Sequence, residues 1–129
     1  MKVLLIEDEN DIAEVYSDWL EALGYEVQHC SNGYTAGVEI LDLSNDNSIG
    51  FIITDLHVPG KSGEELVDFF EKIETRGTKI PILFLSGFID DELRYKYQKL
   101  DHIHFLDKPT NKETFGKMTE ILKNESSSS

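Results

Sequence analysis

Val3-Leu4-Leu5-Ile6-Glu7-Asp8-Glu9 is a run of four apolar residues that breaks at once into three carboxylates. A continuous apolar run of this length reads as a strand covered on both faces, as in a parallel sheet flanked by helices; a strand with one wet face would alternate. The pattern returns in Phe51-Ile52-Ile53, which ends in Thr54-Asp55, and in Ile80 to Leu85, which ends in Ser86-Gly87. Two shorter candidates are Glu26 to Cys30 and Ile103 to Leu106, the latter running into Asp107-Lys108-Pro109.

Helical patterns lie between these runs. Ile12, Val15, Tyr16, Trp19, Leu20 and Leu23 recur at spacings of three and four, with Asn10 or Asp11 able to cap the start and Gly24 to end the helix. Trp19 falls on the apolar face and is expected in the core. Leu66, Val67, Phe69, Phe70 and Ile73 mark another helix after the turn-forming Pro59-Gly60-Lys61-Ser62-Gly63, and Thr35 to Leu43, Asp90 to Leu100 and Asn111 to Leu122 supply three more. Five strands alternating with five helices predict an α/β fold, a doubly wound parallel sheet between helical layers with right-handed crossovers. Ser44 to Gly50 reads as a polar loop. Residues 1–123 form one expected domain, and Asn124 to Ser129 an expected disordered, Ser-rich tail.

Composition narrows the function. The 129 residues are enough for one core, and 12 Lys and Arg against 25 Asp and Glu give a net charge of -13. That field repels a phosphate backbone or an anionic leaflet, so direct nucleic-acid or membrane binding is not expected. Cys30 is the only cysteine, which excludes an internal disulfide and suggests an inert buried thiol. The first apolar run is too short for a signal peptide or a membrane span, and the expected location is the cytoplasm.

In an open parallel sheet, ligands bind outside the carboxyl ends of the strands. Those ends carry Glu7, Asp8, Asp55, Ser86 and Lys108. Carboxylates gathered at one edge raise one another's pKa values unless a cation compensates. Magnesium suits such a site, since it takes one or two carboxylates, keeps several waters and accepts a phosphoryl oxygen. Asp8 and Asp55 fit as direct ligands, with Glu7 acting directly or through water. Asp55 is the best candidate for a covalent nucleophile that holds a phosphoryl group as a mixed anhydride. Lys108 would supply a point charge, Ser86 a hydrogen bond, and the amides after Asp55 further donors.

These residues resemble the receiver domains of two-component response regulators over roughly residues 2 to 123. Val3 to Glu9 is similar to the family's acidic-pair strand, and Ile53-Thr54-Asp55-Leu56-His57-Val58-Pro59-Gly60 to its phosphoacceptor strand and loop. Pro81 to Gly87 resembles the strand ending in the switch hydroxyl, and Phe105-Leu106-Asp107-Lys108-Pro109 the conserved lysine with its proline. The resemblance implies strand order 2-1-3-4-5 in a flavodoxin-like sheet. It also implies phosphorylation of Asp55 by a sensor histidine kinase, a His phosphotransfer protein or a small phosphodonor. Magnesium, for which manganese can stand in, would be held by Asp8, Asp55 and the backbone carbonyl of His57, with Glu7 supporting it through water. Ser86 would reorient toward the phosphoryl group and Phe105 would rotate inward behind it. A cis Lys108-Pro109 peptide would fit the family. The fourth helix, fifth strand and fifth helix would present a face to an unknown downstream protein, with the chain a monomer or a phosphorylation-linked dimer.

The chain departs from the family at Lys61-Ser62-Gly63, where an acidic residue is common before the glycine, and at Lys99 to His104, which lacks the usual Gly-Ala. His57 and Phe88 occupy positions where the family tunes loss of the phosphoryl group. His29, His102 and His104 show no metal-ligand spacing and receive no role. Three other readings compete. A flavodoxin-type cofactor module would need a phosphate-cradling loop where Glu7-Asp8-Glu9 stands. A turnover phosphatase would commonly carry a second acid where His57 stands. A pseudo-receiver would bind partners without phosphorylation.

Overall fold

The computed structural model describes residues 1–32, 49–55, 80–87, 95, 100, 102–108 and 110–127. Seven elements are described: β1 (Lys2–Ile6), α1 (Asn10–Ala22), β2 (Glu26–Cys30), β3 (Ile49–Asp55), β4 (Ile82–Ser86), β5 (Ile103–Asp107) and α2 (Lys112–Ser127). The strands form one sheet in the order β2-β1-β3-β4-β5, and each neighbouring pair runs parallel. This is the doubly wound order that the resemblance implies. The expected helices at 35–43, 66–73 and 90–100 lie outside the described residues, apart from Tyr95 and Leu100.

The apolar runs are continuous because both faces of the sheet are covered. Val3, Leu5, Phe51, Ile53, Leu83 and Leu85 pack with Tyr16 and Leu20 of α1 and Phe115 and Leu122 of α2 in one core cluster. The alternate residues Leu4, Ile6, Ile52, Ile82 and Phe84 are just as buried. β3 runs longer than its apolar signal, from Ile49 to Asp55. Its register against β1 shifts between Lys2 and Val3, which face Ile49 and Phe51, so Gly50 is the extra residue of a bulge. The Met1 side chain packs directly where a Gly50 side chain would begin.

Both helix ends of α1 follow backbone geometry. The N-cap is Glu9, whose carbonyl accepts from Ala13 N at 2.9 Å with no side-chain cap, so neither Asn10 nor Asp11 caps as expected; both are already in the helix. At the other end, Gly24 sits at φ +93°, Gly24 N donates to Glu21 O and Tyr25 N to Leu20 O, each at 3.0 Å. That bond pair is a Schellman motif, and it needs the left-handed residue that glycine supplies. Tyr25 and Leu20, brought together by it, are both buried.

α2 begins at a side-chain cap, with Asn111 Oδ1 accepting from Thr114 N at 2.8 Å. It continues to Ser127, so residues 124–127 are helical rather than tail as the composition suggested. The reason is tertiary. His104 Nε2 on β5 donates to the Glu125 carboxylate at 2.8 and 2.9 Å, which ties the last turn of α2 back to the sheet.

Candidate functional site

The site forms where four strands end together. The register pairs Ile6 with Thr54, Asp55 with Leu85, and Ser86 with Asp107, so the residues that follow these pairs meet at one edge. Glu7 and Asp8 leave the end of β1, Asp55 is the last residue of β3, and Lys108 is the first after β5.

Lys108 joins the carboxylates. Its Nζ donates to Glu7 Oε1 and to Asp55 Oδ2, each at 2.7 Å. Glu7 Oε2 accepts the Asp8 amide at 3.1 Å, and Thr54 Oγ1 donates to the Asp55 carbonyl at 2.9 Å. Glu7 is 2% exposed, Asp55 17% and Lys108 18%, so the ion triad is largely out of water while one side of Asp55 can be reached. Burial pushes the Glu7 carboxyl above the ordinary glutamate range; the bond and charge of Lys108 oppose the shift, and neighbouring Asp55 adds to it. Burial would push Lys108 down, but its bonds to Asp55 and Glu7 outweigh burial and hold it well above an ordinary lysine. The lysine therefore stays charged throughout the neutral range.

Glu7, Asp8 and Asp55 each present a carboxylate oxygen within 4.8 Å of the others. Hard oxygen donors gathered at one edge are the kind magnesium takes, one or two of them directly, and the exposed Asp8 leaves room for the waters that ion keeps. The expected site residues Glu7, Asp8, Asp55 and Lys108 are thus brought together. Ser86 ends β4 at the same edge, but its side chain, His57, Phe88 and Pro109 lie outside the described residues. Phe105 is half-buried on β5 and stacks on Phe84 at 5.6 Å and 26°.

Comparison with known proteins agrees with this geometry. Residues 3–120 match the family described as the response regulator receiver domain. The chain belongs to that family. Among curated relatives, it is 29% identical over 111 residues to the response regulator protein TodT of Pseudomonas putida, covering 86% of this chain and 46% of TodT. It is 29% identical over 119 residues to the peroxide stress-activated histidine kinase mak3 of Schizosaccharomyces pombe, covering 91% of this chain and 5% of mak3. The receiver thus spans about half or less of these two proteins. Among solved structures, it superposes on the chemotaxis response regulator CheY4 of Vibrio cholerae with a TM-score of 0.76 at 27% identity, covering 94% of this chain and 97% of that one. The receiver domain of the hybrid histidine kinase CckA gives 0.71 at 26% identity, with 95% and 99% covered. The receiver domain is a signalling module of two-component phosphorelay systems, found in response regulators and in hybrid kinases. No described helix is long and apolar enough to cross a membrane.

Two features of the site were not legible in the sequence. His29 Nε2 lies 2.7 Å from the Glu7 carbonyl oxygen. Tyr16 is buried on α1, and burial pushes its hydroxyl above the ordinary tyrosine value, with Lys108, Glu7 and Asp55 all acting on it electrostatically. Only the position of β2 beside β1 could have signalled the first, through the pairing of His29 with Leu5.

Proposed function

We propose that this receiver domain is a magnesium-dependent phosphoacceptor switch in which Asp55 takes a phosphoryl group from a partner histidine. The observation that carries this reading is the placement of Asp55 at 2.7 Å from Lys108 and within reach of the Glu7 and Asp8 carboxylates. A carboxylate oxygen of Asp55 forms the new P–O bond as the P–N bond of the donor phosphohistidine breaks, and the imidazole leaves with its electron pair. Little covalent chemistry is asked of the protein beyond positioning and charge neutralisation.

Lys108 stays charged and balances one equatorial oxygen while still holding Asp55 in place. Asp8 and Asp55, with the His57 carbonyl, would hold magnesium and Glu7 would act through water; manganese can replace it. Held there, the ion would supply the remaining positive charge that offsets a phosphoryl oxygen at a carboxylate-lined edge. Ser86 would turn toward the phosphoryl group and Phe105 would follow it inward, changing the face that β5 and α2 present. The chain is not a turnover enzyme: each event leaves it modified until hydrolysis resets Asp55. Upstream partners are a sensor histidine kinase or a His phosphotransfer protein, and the downstream partner is a protein rather than nucleic acid.

Intact mass after incubation with acetyl phosphate and magnesium tests this reading. One phosphoryl adduct is expected, absent in Asp55→Asn and absent without metal. Magnesium binding by wild type with no adduct from acetyl phosphate or from a phosphorylated His phosphotransfer protein would overturn it in favour of a pseudo-receiver.

A further inference from the structure

The peptide between Glu7 and Asp8 carries the cluster's two adjacent carboxylates, and it is held at both of its polar atoms. Its N–H, the Asp8 amide, donates to Glu7 Oε2 at 3.1 Å. Its carbonyl oxygen, that of Glu7, lies 2.7 Å from His29 Nε2. A carbonyl can only accept, so Nε2 bears the hydrogen in this contact. The pairing of β1 with β2 ends at Ile6 and Cys30, with Glu7 N donating one last bond to Cys30 O at 3.0 Å. Beyond that point a side chain, not the strand ladder, anchors the chain.

We infer that His29 is a positioning residue for the acidic cluster: by holding the Glu7 carbonyl, it fixes the Glu7-Asp8 peptide plane and hence where the Asp8 carboxylate can meet a divalent cation. This rests on the proposed magnesium site. Asp8 is exposed and stands before the first turn of α1. With the carbonyl released, the peptide would be held only through its N–H on the Glu7 side chain, a weaker hold that lets Asp8 shift away from Asp55. Glu7 would keep its bond to Lys108, so the ion triad should survive loss of His29 while the metal site loosens. Groups that orient a metal ligand from behind typically matter by about 10–100-fold in affinity. A single bond acting through backbone belongs at the lower end of that range.

Calorimetric titration of the full chain with magnesium chloride, beside thermal melts, tests the role. His29→Ala is expected to weaken magnesium binding by about tenfold while the metal-free melting temperature moves by no more than a few degrees. His29→Gln, whose amide N–H can reach the same carbonyl, is expected to recover most of the affinity. Equal dissociation constants for wild type and His29→Ala would overturn the inference, as would His29→Gln binding as weakly as His29→Ala. Asp8→Asn separates the two levels. If wild type itself binds no magnesium, or binds it as Asp8→Asn does, the metal-site reading falls and takes this inference with it; if only the His29 variants behave like wild type, the metal site stands and the inference alone is lost.

Discussion

Glu7 and Lys108 show how one ion pair carries two opposite tendencies. Glu7 is almost fully enclosed and faces a second carboxylate, so burial dominates and its proton is held more tightly than in the unfolded chain. For such an acid, the folded state is favoured below the ordinary glutamate pKa, and that advantage is lost as pH rises through the raised folded value. Metal-free wild type should therefore gain stability relative to Glu7→Gln as pH falls through that value; a relative loss on acidification would contradict the assignment. Lys108 is raised by its two carboxylate partners, so its stabilisation is complete below the ordinary lysine pKa and lost only in strong alkali. Truncating it leaves two facing carboxylates in a poorly solvated place. Lys108→Ala should cost about 3 kcal/mol in denaturant melts at neutral pH, part of which magnesium should restore.

At the scale of elements, α1 and α2 are held to the sheet by an aromatic cluster. Phe115 stacks on Tyr16 at 5.1 Å and 8° and meets Trp19 at 5.3 Å. Phe115 is completely buried, so Phe115→Ala should destabilise by about 3–5 kcal/mol, the cavity opening beneath the helix that follows Lys108. A stability loss below about 1 kcal/mol would mean that α2 docks by other contacts. The far end of α2 depends on a smaller device. His104 and Glu125 are 22% and 33% exposed, so their bond lies at the modest end for charge-assisted pairs. His104→Ala and deletion of residues 124–129 should each cost about 0.5–1 kcal/mol. The double variant should lose less than the sum of the two, because the His104–Glu125 bond is common to both. Fully additive losses would show that the two act separately.

For the molecule as a whole, the net charge of -13 is distributed against the folded state, and the edge that gathers Glu7, Asp8 and Asp55 concentrates part of it. A cation bound there stabilises by mass action. At magnesium one hundred times its dissociation constant, wild type should gain about 2.7 kcal/mol, seen as a rise of several degrees in melting temperature. Asp8→Asn should lose nearly all of that rise. A rise retained in Asp8→Asn would point to diffuse screening of the surface charge rather than a site.

The local order of residues was enough to determine the class of fold, because burial on both faces writes itself into Val3 to Ile6, Phe51 to Ile53 and Pro81 to Leu85 as unbroken apolar runs. It also marked Glu7, Asp8, Asp55 and Lys108, since the polar residue that ends each run must sit at one edge of a parallel sheet. Strand limits, caps and contacts between distant positions were another matter. α1 took its N-cap from Glu9 through backbone bonds, and no side-chain signal records that. Lys108 reaches Glu7 across 101 positions, His29 reaches Glu7 across 22 and His104 reaches Glu125 across 21. Such pairs depend on which strand lies beside which, and on a helix returning over the sheet. Periodicity reports whether a residue faces the core or water; only the assembled sheet decides which polar groups then stand within 3 Å of each other.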